Sequence, residues 1–281
     1  MNGKKAKTPK MRFMAEFDKL CKARDIWEVW ADLISSMACF ISNTVDYNER
    51  LESRKAEYEE RSSRLGGAEV IKKFILIIGD AFEENPEQDF LGDLYMEYNL
   101  GKHSNGQYFT PYSVAKFTSS LCGVRTSDIK DNGFARITDP ACGSGVMLIA
   151  AANLYHDSCN FQRDILFVGQ DIDPIAAKMC YIQLSILGCA GYVCIGDTLK
   201  HPLVCDNALF PVAREGQELW LTPMFMVGTA WNDRRKFHIL KCMQVKFIKD
   251  IEKTRRNNYG QVRAGAGKRA FNDYGRASKS F

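Results

Sequence analysis

No Cys-x-x-Cys pair occurs in the 281 residues, although the chain has ten cysteines. The closest pair is Cys189 and Cys194, so the spacing of a zinc ribbon or a redox dithiol is missing and no metal site is expected. The amino terminus carries charge without the apolar stretch that follows it in a secretory signal. No apolar run approaches the ~20 residues of a membrane span. The expectation is a cytoplasmic protein with reduced thiols and no membrane partner, rather than a disulfide framework. Cys39, Cys180 and Cys189 lie in apolar runs, where a free thiol acts as a small hydrophobe. There are only four histidines, none close in sequence to Cys142, so that cysteine reads as a small turn residue rather than a nucleophile. Internal repeats and low-complexity segments are absent as well. So is any strong charge imbalance: 38 basic against 34 acidic residues leave +4.

The distribution of charge says more than its sum. Lys4, Lys5, Lys7, Lys10 and Arg12 open the chain without an acid among them. Arg255, Arg256, Arg263, Lys268, Arg269, Arg276 and Lys279 close it, with Asp273 the only acid in that stretch. Basic segments of this kind either attract phosphate through counterion release or are merely solvated ends. Residues 1–12 and 255–281 are accordingly set apart as basic tails.

Residues 13–101 predict a helical domain. Trp27, Trp30, Ile34, Met37 and Ile41 recur at three- and four-residue steps and make one apolar stripe, which is core rather than a cofactor box. Residues 48–64, dense in alternating charge, predict a solvated helix that Gly66-Gly67 ends. Val70 to Phe82 and Asp89 to Leu100 predict two more helices.

Residues 102–230 predict a second domain in which helix and strand alternate: a helix from Pro111, a strand before Asp139, a helix over 145–157, a strand over 165–170, a helix over 174–188 and a strand over 191–195. That alternation predicts a parallel sheet with helices on both faces and ligands at the carboxyl ends of the strands. Asp139, Asp171 and Asp197 each end a predicted strand, so three carboxylates gather on one rim. Each alone would serve equally well as a turn or helix-cap acid. Asp173 and Pro174 read as N-cap and first helical residue. Past residue 200 the pattern weakens: Leu219 to Val227 predicts a strand, Asn232 a cap, 231–254 a C-terminal helix.

The most informative run is Asp139-Pro-Ala-Cys-Gly-Ser-Gly145, a tight glycine turn between strand and helix that aims unpaired N–H groups at a ligand. Gly106-Gln-Tyr-Phe-Thr-Pro111 precedes it, and Gly169-Gln-Asp-Ile-Asp-Pro174 and Gly196-Asp-Thr-Leu199 follow. A dinucleotide-type Gly-x-Gly-x-x-Gly is not formed, because position 148 is Leu. In order and spacing, roughly over residues 85 to 200, the set resembles the adenine-N6 DNA methyltransferase family, closest to the modification subunits of type I restriction systems. The resemblance implies an α/β Rossmann-like fold, here truncated, and S-adenosylmethionine as cofactor. It implies that Asp139, Pro140, Ala141, Gly143 and Gly145 cradle the methionine part, and that Tyr108, Phe109, Thr110 and Pro111 close over it. By the same resemblance Asp171 takes the ribose hydroxyls, Ile172 packs on adenine and Asp197 accepts from the adenine amino group. DNA is the implied partner, with a separate specificity subunit supplying sequence recognition.

One departure matters. Family members carry a polar-Pro-Pro-aromatic tetrapeptide that holds the target amino group and stacks on the flipped base. It is absent from these 281 residues. The nearest segment is Thr222-Pro-Met-Phe225, in which Thr222, Pro223 and Phe225 would keep weakened versions of those roles. Two functions remain open at this point: methyl transfer to N6 of adenine in DNA at reduced rate, or a non-catalytic cofactor- and DNA-binding partner of a complete methyltransferase. The same fold places its fourth strand beside the first. Either Leu219 to Val227 fills that place or a partner covers the edge.

Overall fold

The computed structural model describes residues 7–45, 51–102, 108–122, 129–131, 133–156, 159–203, 205 and 207–249; the basic segment 255–281 and residues 1–6 lie outside them. Residues 1–232 make up one compact unit and residues 233–281 a second.

Five helices lead the first unit. Thr8 caps α1 (Pro9–Leu20), its hydroxyl accepting from the Met11 N–H, with Pro9 at the first position, where its missing N–H costs nothing. Asp25 caps α2 (Ile26–Asn43) by accepting from the N–H groups of Trp27 and Glu28. The predicted stripe is buried at Trp30, Ile34, Met37 and Ile41, while Trp27 is only half-buried. Then come α3 (Leu51–Arg64), α4 (Ala68–Glu84) and α5 (Phe90–Glu97), the last capped by Asp89. Gly66 and Gly67, at φ of 100° and 90°, supply the left-handed backbone that separates α3 from α4.

The charged helix α3 is not simply solvated. Arg54 is buried: it stacks 3.9 Å over the Trp220 ring and donates to Ser42 Oγ at 2.6 Å and to the Leu219 carbonyl at 2.5 Å. Lys178 reaches the same indole at 5.2 Å and donates to Glu57 at 2.8 Å. A cation packed on an aromatic face and hydrogen-bonded through its terminal nitrogens tolerates burial that an isolated charge would not.

Where α2 meets α3, Arg24 (just before α2) and Arg61 and Arg64 of α3 converge on the buried Asp32 of α2, at 2.6, 3.1 and 2.6 Å. Burial pushes this carboxyl up, but hydrogen bonds from Arg64 and Arg24 outweigh it and hold the group down to about 2. A folded-state value below the unfolded one means that the contribution is complete above about pH 4 and is lost as pH falls through about 2. Allowing for screening of the half-exposed arginines, it should be on the order of 1–2 kcal/mol. Thermal melts between pH 5 and pH 2 should therefore fall less steeply in Asp32→Asn than in the parent chain. Equal slopes would show that the cluster contributes nothing.

After α6 (Tyr112–Leu121), the sheet begins: β1 (Ala135–Asp139), α7 (Val146–Tyr155), the short α8 (Phe161–Asp164), β2 (Ile165–Asp171), α9 (Pro174–Ile186), β3 (Gly191–Ile195), β4 (Glu218–Leu221) and α10 (Pro223–Val227). The order is β1-β2-β3-β4, with the first three parallel. Alternation along the strands divides the core. Ile165, Phe167, Val193 and Trp220 join α1, α2, α4, α5, α7 and α9 on one face. Leu166, Val168, Tyr192, Cys194 and Leu219 meet Leu209, Phe225 and Trp231 on the other. The packing thus joins in one core the helices and sheet that the sequence divides at residue 101. Among the described residues the second face is closed by loop residues, α10 and Trp231 rather than by long helices.

Two expectations about the end of this unit need correction. The segment Leu219 to Val227 is strand only to Leu221. Thr222 then caps α10 and turns the chain away. β4 also runs antiparallel to β3, with Tyr192 opposite Leu221 and Ile195 opposite Glu218, so it does not lie beside β1. Among the described residues β1 has a strand neighbour on one side only. Nor is Asn232 a cap: helical backbone begins at residue 229, and the Asn232 N–H bonds the Gly228 carbonyl at 3.0 Å. Of the second unit, residues 233–249 are helical and carry exposed Phe237, Leu240, Met243 and Phe247. Among the described residues no disulfide joins the cysteines, and no helix is long and apolar enough to cross a membrane.

Candidate functional site

The carboxyl ends of β1, β2 and β3 form one rim. Asp139 and Asp171 are the last residues of their strands, and Asp197 follows β3 by two positions. Backbone hydrogen bonds lace the three tips together. The Cys142 N–H donates to the Gln170 carbonyl at 2.9 Å and the Gly196 N–H to the Asp171 carbonyl at 2.9 Å. Thr198 Oγ1 donates to the Pro140 carbonyl at 2.6 Å, fastening the β3 tip to the glycine turn. Sequence reasoning missed Thr198, whose only signal is a hydroxyl three residues past a strand.

Gly143 and Gly145 adopt φ of 52° and 98°, in the left-handed region that a side chain disfavours. Their surroundings demand glycine too. A Cβ on Gly145 would lie 2.8 Å from Cys180 Sγ, and one on Gly143 would lie 3.0 Å from the Phe109 ring. Phe109 packs there with its ring 4.9 Å from that of Tyr95. The glycines thus fit the turn against the protein itself, and α7 starts directly after it with its first N–H groups outside the intrahelical ladder.

Asp171 holds the turn at its open side. One carboxylate oxygen accepts from the Gly143 N–H at 2.7 Å and the other from the Asp173 N–H at 2.9 Å. A carboxylate offers roughly four lone pairs, so acceptor capacity remains for hydroxyl groups of a ligand. Asp139 accepts from the Ala141 N–H at 3.1 Å, and burial pushes its carboxyl up, with Asp171 adding to the effect. A cationic group bound near it would reverse that shift. Asp173 accepts from the Ile175 and Ala176 N–H groups as the N-cap of α9. Asp197 is half-buried. It accepts from the Leu199 and Lys200 N–H groups at 3.0 and 3.2 Å and pairs with Lys200 at 3.3 Å, bonds that hold its carboxyl below the usual range. Tyr108, Thr110, Pro111 and Ile172 are exposed. Gly106 and Gln107 of the preceding motif lie outside the described residues.

Thr222, Pro223 and Phe225 are not brought to this rim. The Thr222 N–H donates to the Gly191 carbonyl at 2.9 Å, which sets it beside the first residue of β3, at the amino end of the parallel strands. Four strand steps, about 13 Å, separate that end from the rim. The Thr222 hydroxyl is fully buried, donating to the Cys189 carbonyl at 2.8 Å and accepting from the Gly191 N–H at 2.9 Å. Phe225 is buried against Tyr192 and Trp231 at ring distances of 5.6 and 5.8 Å. This geometry contradicts the catalytic reading of the segment: its hydroxyl and its aromatic ring are occupied inside the core. The antiparallel direction of β4 is the physical reason, since it carries the end of the strand away from the ligand edge.

Comparison with known proteins bears on this site. Residues 86–213 match the family described as N-6 DNA Methylase. The type I restriction enzyme MjaIX methylase subunit of Methanocaldococcus jannaschii is 31% identical over 130 residues, covering 44% of this chain and 22% of that protein. The MjaVIII methylase subunit of the same organism is 27% identical over 190 residues, 62% of this chain and 31% of its own. The chain therefore spans less than a third of the length of these curated relatives. No solved structure matches it.

Proposed function

We propose, on the premise that residues 86–213 belong to the N-6 DNA methylase family, that this chain binds S-adenosylmethionine on the rim of β1, β2 and β3 and does not transfer the methyl group by itself. The observation that carries the reading is the bond from Gly143 N–H to Asp171, which joins a left-handed glycine turn to a strand-tip carboxylate with acceptor sites to spare.

The residues present fit the cofactor. Asp171 would accept from the ribose hydroxyls, Ile172 would supply an apolar surface for the adenine, and Asp197 would accept from the adenine amino group. Asp139, with its carboxyl pushed up by burial, would face the ammonium of the methionine part. Tyr108, Phe109, Thr110 and Pro111 would border that part, and Pro140, Ala141, Gly143 and Gly145 would line its floor. When bound, the cofactor supplies an electrophilic methyl group on sulfonium. The chain's own contribution is to orient it, because proximity and alignment provide most of the catalysis in such a displacement.

The reading separates cofactor binding from base handling. A target adenine needs a positioned acceptor for its amino group and a stacking ring. The sequence has no polar-Pro-Pro-aromatic run; Thr222 adjoins the amino end of β3, about 13 Å along the strand from the rim, and Phe225 is buried in the core. The chain would therefore act as the cofactor-binding part of a DNA-adenine methylation assembly in the cytoplasm. DNA and a separate specificity subunit would be its partners, and the basic segment 255–281 would add phosphate affinity. With labelled S-adenosylmethionine and adenine-containing duplexes, the chain alone should give no incorporation above background while still binding the cofactor. Label appearing at N6 of adenine would restore the enzyme reading and require another acceptor at the rim.

A further inference from the structure

Asp89 lies fifty residues before the glycine turn in sequence and directly against it in space. It is 2% exposed and accepts three hydrogen bonds from neutral donors. One oxygen takes the Gly92 N–H at 2.9 Å, which caps α5, and the Gln183 Nε2–H of α9 at 2.8 Å. The other takes the hydroxyl of Ser144, the residue between the two left-handed glycines. Gln183 completes the ring: its Nε2 also donates to the Ser144 carbonyl at 2.8 Å, and its Oε1 accepts from the Leu91 N–H at 3.0 Å. Ser144 and Gln183 are fully buried. Room for the carboxylate is made by Gly92, where a Cβ would collide with it.

Both polar ends of Ser144 are thus tied to elements beneath the turn, while Asp171 ties Gly143 from above. We propose that Asp89 is a positioning residue of the cofactor site, acting through Ser144 and Gln183 to hold the glycine turn in its binding geometry; this rests on the S-adenosylmethionine reading given above. A turn of left-handed glycines is entropically costly to keep in one shape. A buried carboxylate with three donors supplies the restraint, and it couples the α5 end of the helical region to the rim. Burial pushes the Asp89 carboxyl up, in the direction expected for a charge compensated by dipoles alone.

Two variants isolate the contact. Asp89→Asn keeps an acceptor for the α5 cap but turns the atom facing Ser144 from acceptor into donor, and Ser144→Ala removes the hydroxyl alone. Amide hydrogen exchange over residues 142–146 of the full chain, without cofactor, should accelerate about tenfold in Ser144→Ala, the loss of roughly one hydrogen bond, and less in Asp89→Asn, where the hydroxyl can accept from the new amide. Calorimetric affinity for S-adenosylmethionine should fall by similar factors, and the double variant should lose little more than Ser144→Ala. Thr222→Val, which lowers stability at the far end of β3, serves as the control and should leave both readouts unchanged. Exchange or affinity within twofold of the parent chain in Ser144→Ala would overturn the proposal, as would equal losses in the control. If the parent chain itself fails to bind, the cofactor reading falls, and with it the proposal; the exchange result would then assign Asp89 to folding alone.

Discussion

Replacing Asp171 by alanine should weaken S-adenosylmethionine binding at least about 100-fold, the loss of two charge-assisted hydrogen bonds at roughly 1.5–3 kcal/mol each. The side chain has two functions that fail together. It holds the Gly143 and Asp173 N–H groups at 2.7 and 2.9 Å, and its remaining lone pairs would receive the ribose hydroxyls. Alanine leaves two N–H groups without their acceptor, so the melting temperature should drop as well. Asp171→Asn is milder but does not separate the two roles. It keeps one acceptor oxygen while its amide nitrogen meets the second backbone N–H donor to donor, so affinity and stability should both fall between those of the parent chain and of Asp171→Ala. Calorimetry on the three proteins, with melting curves alongside, reads both effects. Parental affinity in Asp171→Ala would mean that the ribose lies elsewhere.

Thr222→Val should do the opposite. The substitution is nearly isosteric, yet it removes a fully buried hydroxyl that serves the Cys189 carbonyl and the Gly191 N–H and caps α10. Leaving two buried backbone groups unsatisfied and losing the cap should cost about 2–4 kcal/mol of unfolding free energy. Below its melting transition, the variant should bind S-adenosylmethionine as the parent does, because nothing at the rim has moved. Denaturant titration and calorimetry on the same sample give both numbers. A stable variant with altered cofactor chemistry would return Thr222 to the catalytic role that its sequence neighbourhood suggests.

That contrast explains what could be read from the chain and what could not. The three parallel strands, their helices and the glycine turn were legible, because periodicity, Gly at left-handed positions and Asp at strand ends are local signals. The direction of β4 was not. Glu218-Leu-Trp-Leu221 is a short apolar run, and nothing in four residues encodes whether it runs with or against its neighbour. Buried charge was hidden in the same way. Arg54 sits in a run of Glu, Arg and Lys that reads as solvated, and only the indole of Trp220, 166 positions later (220 minus 54), makes its burial tolerable. Asp89 read only as the first residue of a predicted helix, which it in fact caps. Its bond to Ser144 depends on a tertiary contact that no spacing rule reaches. Asp197 shows the converse: a motif position whose carboxylate the fold engages in a turn and a lysine pair, so any role toward adenine must share that acceptor.

Calorimetric titration of S-adenosylmethionine into the full 281-residue chain tests the central claim most directly. Saturable one-site binding that disappears in Asp171→Ala is the predicted result. Absence of heat and of any thermal stabilisation at millimolar cofactor would contradict it.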